Sequence, residues 1–150
     1  AANSSSISDG AAALLMMKLS EAQQRGLTPL CKVVAHATHA QAPSEFTVAP
    51  VGAMNKVLAK ANWQTSDVDL FEINEAFALV TMLAVEKMSL DINKVNVNGG
   101  ACALGHPLGA SGARIMVTLI HALKSKGLSK GIASLCIGGG EATAIALEIL

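Results

Sequence analysis

The chain has 150 residues, long enough for one domain with a substantial core, and 51% of them are hydrophobic against 15% charged. Eleven basic and eleven acidic side chains cancel, which leaves no electrostatic footprint for nucleic acid or an anionic membrane surface. No apolar run reaches the roughly 20 residues that span a bilayer, so the mean hydropathy of +0.46 points to a large core together with a buried interface.

The opening AANSSSISDG lacks an initiating Met, a basic segment and the apolar stretch of a secretory signal, and a processed or truncated product is expected. Ala11 to Leu19 has the pattern of a strand, and Ser20 to Arg25 that of a short helix ending at Gly26. Nothing earlier would supply that strand's neighbours, so residues 1–27 read as the tail of a preceding domain. Leu30 to His36, Asp67 to Ile73, Lys94 to Asn98 and Gly131 to Ile137 are short, β-branched or alternating, and bounded by turn residues; they read as strands. Between them Val51 to Asn62, Glu75 to Ser89 and Gly109 to Lys126 read as helices, the second apolar nearly all round and so expected to be enclosed on several sides. IGGGEATAIALEI then turns on glycine into a last alternating strand. The order predicts an α/β layered unit with a mixed, mostly parallel sheet.

Three places carry chemistry. In NGGACALGHPLGASGARI, glycines clear side chains from around His106 and lead into a helix whose N-terminus aims free N–H groups at the same turn. The spacing fits neither GxGxxG nor a phosphate cradle, and a satisfied turn histidine is the plainer alternative. Cys136 stands before three glycines at a strand end, where backbone N–H groups would lower its pKa for nucleophilic or base work; an inert buried cysteine is the alternative. Asn74 and Glu75 form a polar pair between an apolar strand and an apolar helix, which an N-cap would also explain. Asn74, His106 and Cys136 each close a successive strand, so one sheet edge can gather all three.

His36 and His39 lie at a strand end leading to a loop, without a third metal ligand, and read as solvent-exposed loop histidines. His121 on a helix, Cys31 in a strand and Cys102 packed in the glycine loop read as structural. Three cysteines without CxxC spacing indicate neither a disulfide framework nor a zinc site, and a reducing compartment fits.

NEAFA at 74–78, GGACALGHPLGASGARI at 99–115 and CIGGG at 136–140, in this order and with the flank AANSSSISDGAAALLM, resemble the thiolase family, specifically its acetyl-CoA acetyltransferases or acetoacetyl-CoA thiolases. The resemblance covers the whole chain but only about the C-terminal two fifths of such an enzyme. It implies two similar βαβαβαββ halves whose sheets sandwich central helices, with residues 1–27 ending the N-terminal thiolase domain and 28–150 forming the C-terminal one.

The implied reaction is the reversible Claisen condensation of two acetyl-CoA to acetoacetyl-CoA plus CoA, through an acetyl group on a cysteine. Cys136 then resembles the acid/base cysteine, and His106 the histidine that activates the nucleophile and binds the thioester oxygen. Asn74 resembles the residue holding a water in that oxyanion hole, and Gly138 the N–H donor of a second hole. Ser5, Ala76 and Phe77 resemble residues along the CoA pantetheine, and Phe46 one that shapes the acyl site.

No cofactor or metal is implied beyond coenzyme A as substrate, although the Phe46 form resembles mitochondrial members, some of which bind potassium. The implied partners are an N-terminal thiolase half and, in the complete protein, a homotetramer. The compartment is cytoplasmic, with the mitochondrion as alternative. The family's nucleophilic cysteine belongs to the N-terminal half and neither Cys31 nor Cys102 matches it, so this chain alone is expected to be catalytically incomplete. The alternatives are a 3-ketoacyl-CoA thiolase of β-oxidation and a noncatalytic acyl-CoA or lipid carrier of the same fold. A ketoacyl synthase is disfavoured, because those typically carry two histidines where this chain has His106 and Cys136.

Overall fold

The computed structural model describes residues 1–150. Its elements are α1 (Leu19–Gln24), β1 (Cys31–Ala40), α2 (Ala49–Ala61), β2 (Leu70–Ile73), α3 (Ala78–Met88), α4 (Ala101–Leu104), α5 (Ser111–Lys126), β3 (Lys130–Ile137) and β4 (Glu141–Ile149). Short 3-10 turns lie at Pro43–Glu45, Thr65–Asp67 and Ile92–Lys94.

The strands form one mixed sheet in the order β1-β4-β3-β2. It is α/β, as expected, but not mostly parallel: only β2 and β3 run parallel, while β4 is antiparallel to both its neighbours. The reason is that β4 lies between β1 and β3, which point the same way as β2. The segment Lys94 to Asn98, expected as a further strand, does not form one. It enters as a 3-10 turn and makes a single parallel bridge, Val95 to Phe71. Asn96 then takes φ +47, and its side chain replaces a strand at the free edge of β2. Its Oδ1 accepts from Ile73 N at 2.7 Å, and its Nδ2 donates to Ile73 O at 2.8 Å. A short amide that tolerates the left-handed conformation can do this; a longer apolar residue cannot.

Alternation along the strands divides the core between two faces. Phe71, Ile73, Ile132, Ala142, Ala144 and Ala146 pack beneath α2 and α3, and Leu70, Ala133 and Leu147 pack beneath α5. The alanines of β4 let the small residues Ala49 and Ala53 of α2 approach closely, and all five are at most 1% exposed.

Two further expectations are corrected. Ala11 to Leu19 pairs with nothing and forms no strand, leaving Leu15 and Met16 exposed, although α1 follows where a short helix was expected. The helix expected from Glu75 begins only at Ala78, because the N-terminal segment pairs with the backbone of residues 76–78 instead: Ser5 N donates to Ala76 O at 3.2 Å and Ala78 N to Asn3 O at 2.8 Å. Nor is α3 enclosed within this chain. It buries Val80, Thr81 and Ala84, while Leu79 and Met82 are 50% and 65% exposed.

Candidate active site

Asn74 directly follows β2. Its N–H donates to Ser134 O of β3 at 2.9 Å, which extends the parallel pairing by one step and fixes it at the C-terminal end of the sheet. It is not the N-cap of α3, a position taken by Phe77. Its side chain is buried instead, and Nδ2 lies 3.3 Å from His106 Nε2.

His106 sits between α4 and α5. Gly105 before it has φ +90 and faces the Ser8 hydroxyl where a Cβ would stand, so both backbone and neighbour demand glycine. The His106 N–H donates to Ser6 O at 2.9 Å, and Nδ1 lies 2.5 Å from Ser111 Oγ. Ser111 directs its own hydroxyl proton to Pro107 O at 3.1 Å. The serine oxygen is therefore the acceptor, the imidazole carries its proton on Nδ1, and Nε2 keeps a lone pair that the Asn74 amide meets. Burial first, and then the Arg114 cation, hold His106 below its usual 6.5. The other end of the amide, Asn74 Oδ1, is buried without a partner.

Cys136 lies two residues beyond Ser134 on β3, so it shares this end of the sheet with Asn74. Its side chain belongs to the core beneath α2 and α3, and no hydrogen bond joins it to Asn74 or His106. The amide and imidazole are thus in contact, and the thiol lies on the adjoining strand without a hydrogen bond to either. Burial raises the Cys136 thiol above its ordinary value against a smaller opposing backbone hydrogen bond, the reverse of the lowering expected from its glycine neighbours.

The turn after Cys136 holds two unlike glycines. A Cβ on Gly138 would meet nothing within 4 Å, whereas Gly140, at φ +95, faces Gln41 O at 2.5 Å. Ser5 is tied to Ala76, its hydroxyl donating to the Ala76 carbonyl at 3.1 Å. Phe46 and Phe77 meet edge to face, with ring centroids 6.1 Å apart.

Sequence reasoning missed Ser111, Glu72 and Arg114, which brace this arrangement, and singled out Glu75 only as the polar neighbour of Asn74. Ser111 is signalled only as a hydroxyl at the first residue of α5. Glu75 accepts from Asn96 Nδ2 at 3.2 Å and Cys102 N at 3.0 Å, tying the glycine loop to the end of β2. Cys102 itself is exposed rather than packed. Glu72, 2% exposed, pairs with Arg114 Nη1 at 3.1 Å, and burial pushes its carboxyl up to about 7 despite that cation. His39 is not a loop residue: it lies in β1, its ring occupies the space left by Gly52, and Nε2 lies 3.0 Å from Gln41 Oε1.

Residues 27–149 match the family model for the thiolase C-terminal domain. The chain is 50% identical over 147 residues to the cytosolic acetyl-CoA acetyltransferase of Mus musculus, covering 98% of this chain and 37% of that protein. It is 49% identical over 148 residues to the acetyl-CoA acetyltransferase of Cupriavidus necator, covering 99% of this chain and 38% of that protein. The Bacillus anthracis acetyl-CoA acetyltransferase has the same fold, with a TM-score of 0.97 at 46% identity, covering 99% of this chain and 38% of that one. Human mitochondrial 3-ketoacyl-CoA thiolase in complex with CoA gives a TM-score of 0.86 at 40% identity, covering 88% of this chain and 34% of that one. The chain thus spans less than two fifths of the length of the curated relatives it matches. With sequence, fold and the order of its three polar segments in agreement, the chain belongs to the thiolase family and carries that family's C-terminal domain.

Proposed function

We propose that the protein carrying this chain is an acetyl-CoA acetyltransferase, joining two acetyl-CoA into acetoacetyl-CoA and CoA through an acetyl group on a cysteine of an N-terminal thiolase half. The observation that carries this reading is the hydrogen-bonded line Asn74, His106, Ser111 at the end of the sheet, beside the strand that bears Cys136.

In this reading the His106 Nε2 lone pair takes the proton of the nucleophilic thiol, and the resulting N–H then donates to the thioester oxygen. The unpartnered Asn74 Oδ1 supports a role in holding water there. Cys136 gives its proton to the CoA thiolate that leaves as the acetyl-enzyme forms. The Cys136 thiolate so produced removes a proton from the methyl carbon of the second acetyl-CoA, whose enolate attacks the acetyl group. A thiol with a raised pKa suits this exchange, because it keeps its proton at neutral pH and is a strong base once it has lost it. The Gly138 N–H, on a residue whose Cβ position faces open space, serves the tetrahedral oxyanion of the acetyl-enzyme. Each such donor is worth about 2.7 to 4 kcal/mol of barrier.

Ser5, Ala76 and Phe77 line the pantetheine path, and the Phe46–Phe77 corner restricts the acyl site to short chains, which favours acetyl over the longer substrates of a β-oxidation thiolase. The exposed Leu79 and Met82 of α3 are covered by the N-terminal half, and the complete protein assembles as a homotetramer. The reaction needs no cofactor, and the compartment is cytoplasmic with the mitochondrion as alternative. In the complete protein, Cys136→Ala retains acetylation by acetyl-CoA and loses condensation by orders of magnitude; unchanged turnover would remove Cys136 from the reaction. The 150-residue chain alone shows no thiolysis of acetoacetyl-CoA.

A further inference from the structure

The reaction above leaves unused one of the most buried ionisable groups in the chain, the Glu72 carboxylate on β2. A buried ion pair is a weak stabiliser compared with apolar side chains of the same volume, so its placement calls for another explanation. Glu72 and Asn74 lie two residues apart at the end of β2 and reach the same side, toward α5. On α5, Arg114 lies about one helical turn beyond Ser111. Two lines therefore join the same two elements: Asn74 through His106 to Ser111, and Glu72 directly to Arg114. Arg114 Nη1 also lies 3.4 Å from Thr118 Oγ1, which steadies the guanidinium on the helix.

We infer that Glu72 and Arg114 are positioning residues for His106, clamping the first turns of α5 to β2 so that Asn74 and Ser111 grip opposite nitrogens of one imidazole. The clamp also sets the local charge. The ionisable groups on the segments flanking His106 include Asp9 on the N-terminal segment, Glu72 and Glu75 at the end of β2, Cys102 on α4, Cys136 on β3 and Arg114 on α5; of these, only the charge of Arg114 shifts the imidazole, and it disfavours the cation. The Arg114 cation thus favours the neutral imidazole, and the docked Ser111 keeps its proton on Nδ1, the form that can accept a proton at Nε2.

The inference rests on the role of His106 proposed above only for its kinetic readout, so two measurements are paired. One is nitrogen-15 NMR of the His106 ring in the full chain across pH, which reports both tautomer and titration midpoint. The other is the pH profile of kcat/KM in the complete protein. Arg114→Met removes the cation and the clamp; the midpoint rises, and the Nδ1–H form gives way to a mixture of tautomers. Arg114→Lys restores the charge but not the planar guanidinium whose Nη1 meets both Glu72 and Thr118, so the midpoint returns while the mixture persists.

An unchanged tautomer and midpoint in Arg114→Met would overturn the inference, making the pair a structural contact only. If that variant does not fold, an unchanged tautomer in Arg114→Lys overturns it equally. NMR changes that kcat/KM does not follow would support the clamp and refute the catalytic role of His106.

Discussion

The turn between β3 and β4 allows the geometric account to be tested with a single methyl group placed at two neighbouring glycines. At Gly140 the backbone is at φ +95, a region that costs an L-residue about 1–2 kcal/mol. The new methyl would also stand 2.5 Å from Gln41 O and 3.0 Å from Pro43 N and Cα. These are backbone atoms, so no rotamer change relieves the contact. The connection after β1 must move, at an overpacking cost of about 1–3 kcal/mol. That movement also weakens the 3.0 Å bond from Gln41 N to Gly140 O, worth about 1 kcal/mol net.

Gly140→Ala is therefore expected to lose about 2–6 kcal/mol, whereas Gly138→Ala, outside the left-handed region and facing open space, stays within about 1 kcal/mol of the parent. Urea unfolding of the full chain followed by circular dichroism measures both, with an unchanged slope required for the comparison. A Gly140→Ala loss below about 1 kcal/mol, or equal losses at the two positions, would refute the reasoning.

Three further outcomes are expected. Ser111→Ala leaves the His106 Nδ1–H without its acceptor, a cost of about 1–3 kcal/mol, and in the complete protein lowers kcat at least about tenfold; an unaltered kcat would show that Asn74 alone orients the ring. Because burial raises the Cys136 thiol, its alkylation by iodoacetamide in the full chain should be slower than that of a model thiol at neutral pH and accelerate only as pH climbs past the ordinary thiol range; rapid labelling of Cys136 at pH 7 would contradict this. Glu72 binds its proton more tightly folded than unfolded, so its contribution is fully present below about 4.5 and declines as pH rises toward about 7. Glu72→Gln should flatten the fall in stability across that window by up to a few kcal/mol, as read from urea midpoints, and an unchanged slope would mean that Arg114 holds the carboxyl near its ordinary value.

The periodic segments were legible because burial on one face imposes a period that needs no knowledge of neighbours. The apolar rows of α2, α5, β2 and β3 appear in the sequence at the spacing with which they pack, and the glycines of CIGGG announce the hairpin. The glycine loop likewise marked His106 as a place where backbone comes close, and Gly105 against the Ser8 hydroxyl supplies the reason. What no local pattern carried was which polar group meets which. Asn74 has the spacing of an N-cap, yet it is drawn to His106 because residues 3–5 pair with the backbone of residues 76–78 and delay the start of α3. Lys94 to Asn98 has the pattern of a strand, yet a single asparagine side chain serves the edge of β2 instead. Glu72 and Arg114 stand at unremarkable positions in sequence, 42 residues apart, and become partners only when α5 docks on the sheet. Periodicity thus records what each segment hides from water, whereas hydrogen bonds and ion pairs depend on distances of a few ångströms between segments far apart in the chain, which only tertiary docking establishes.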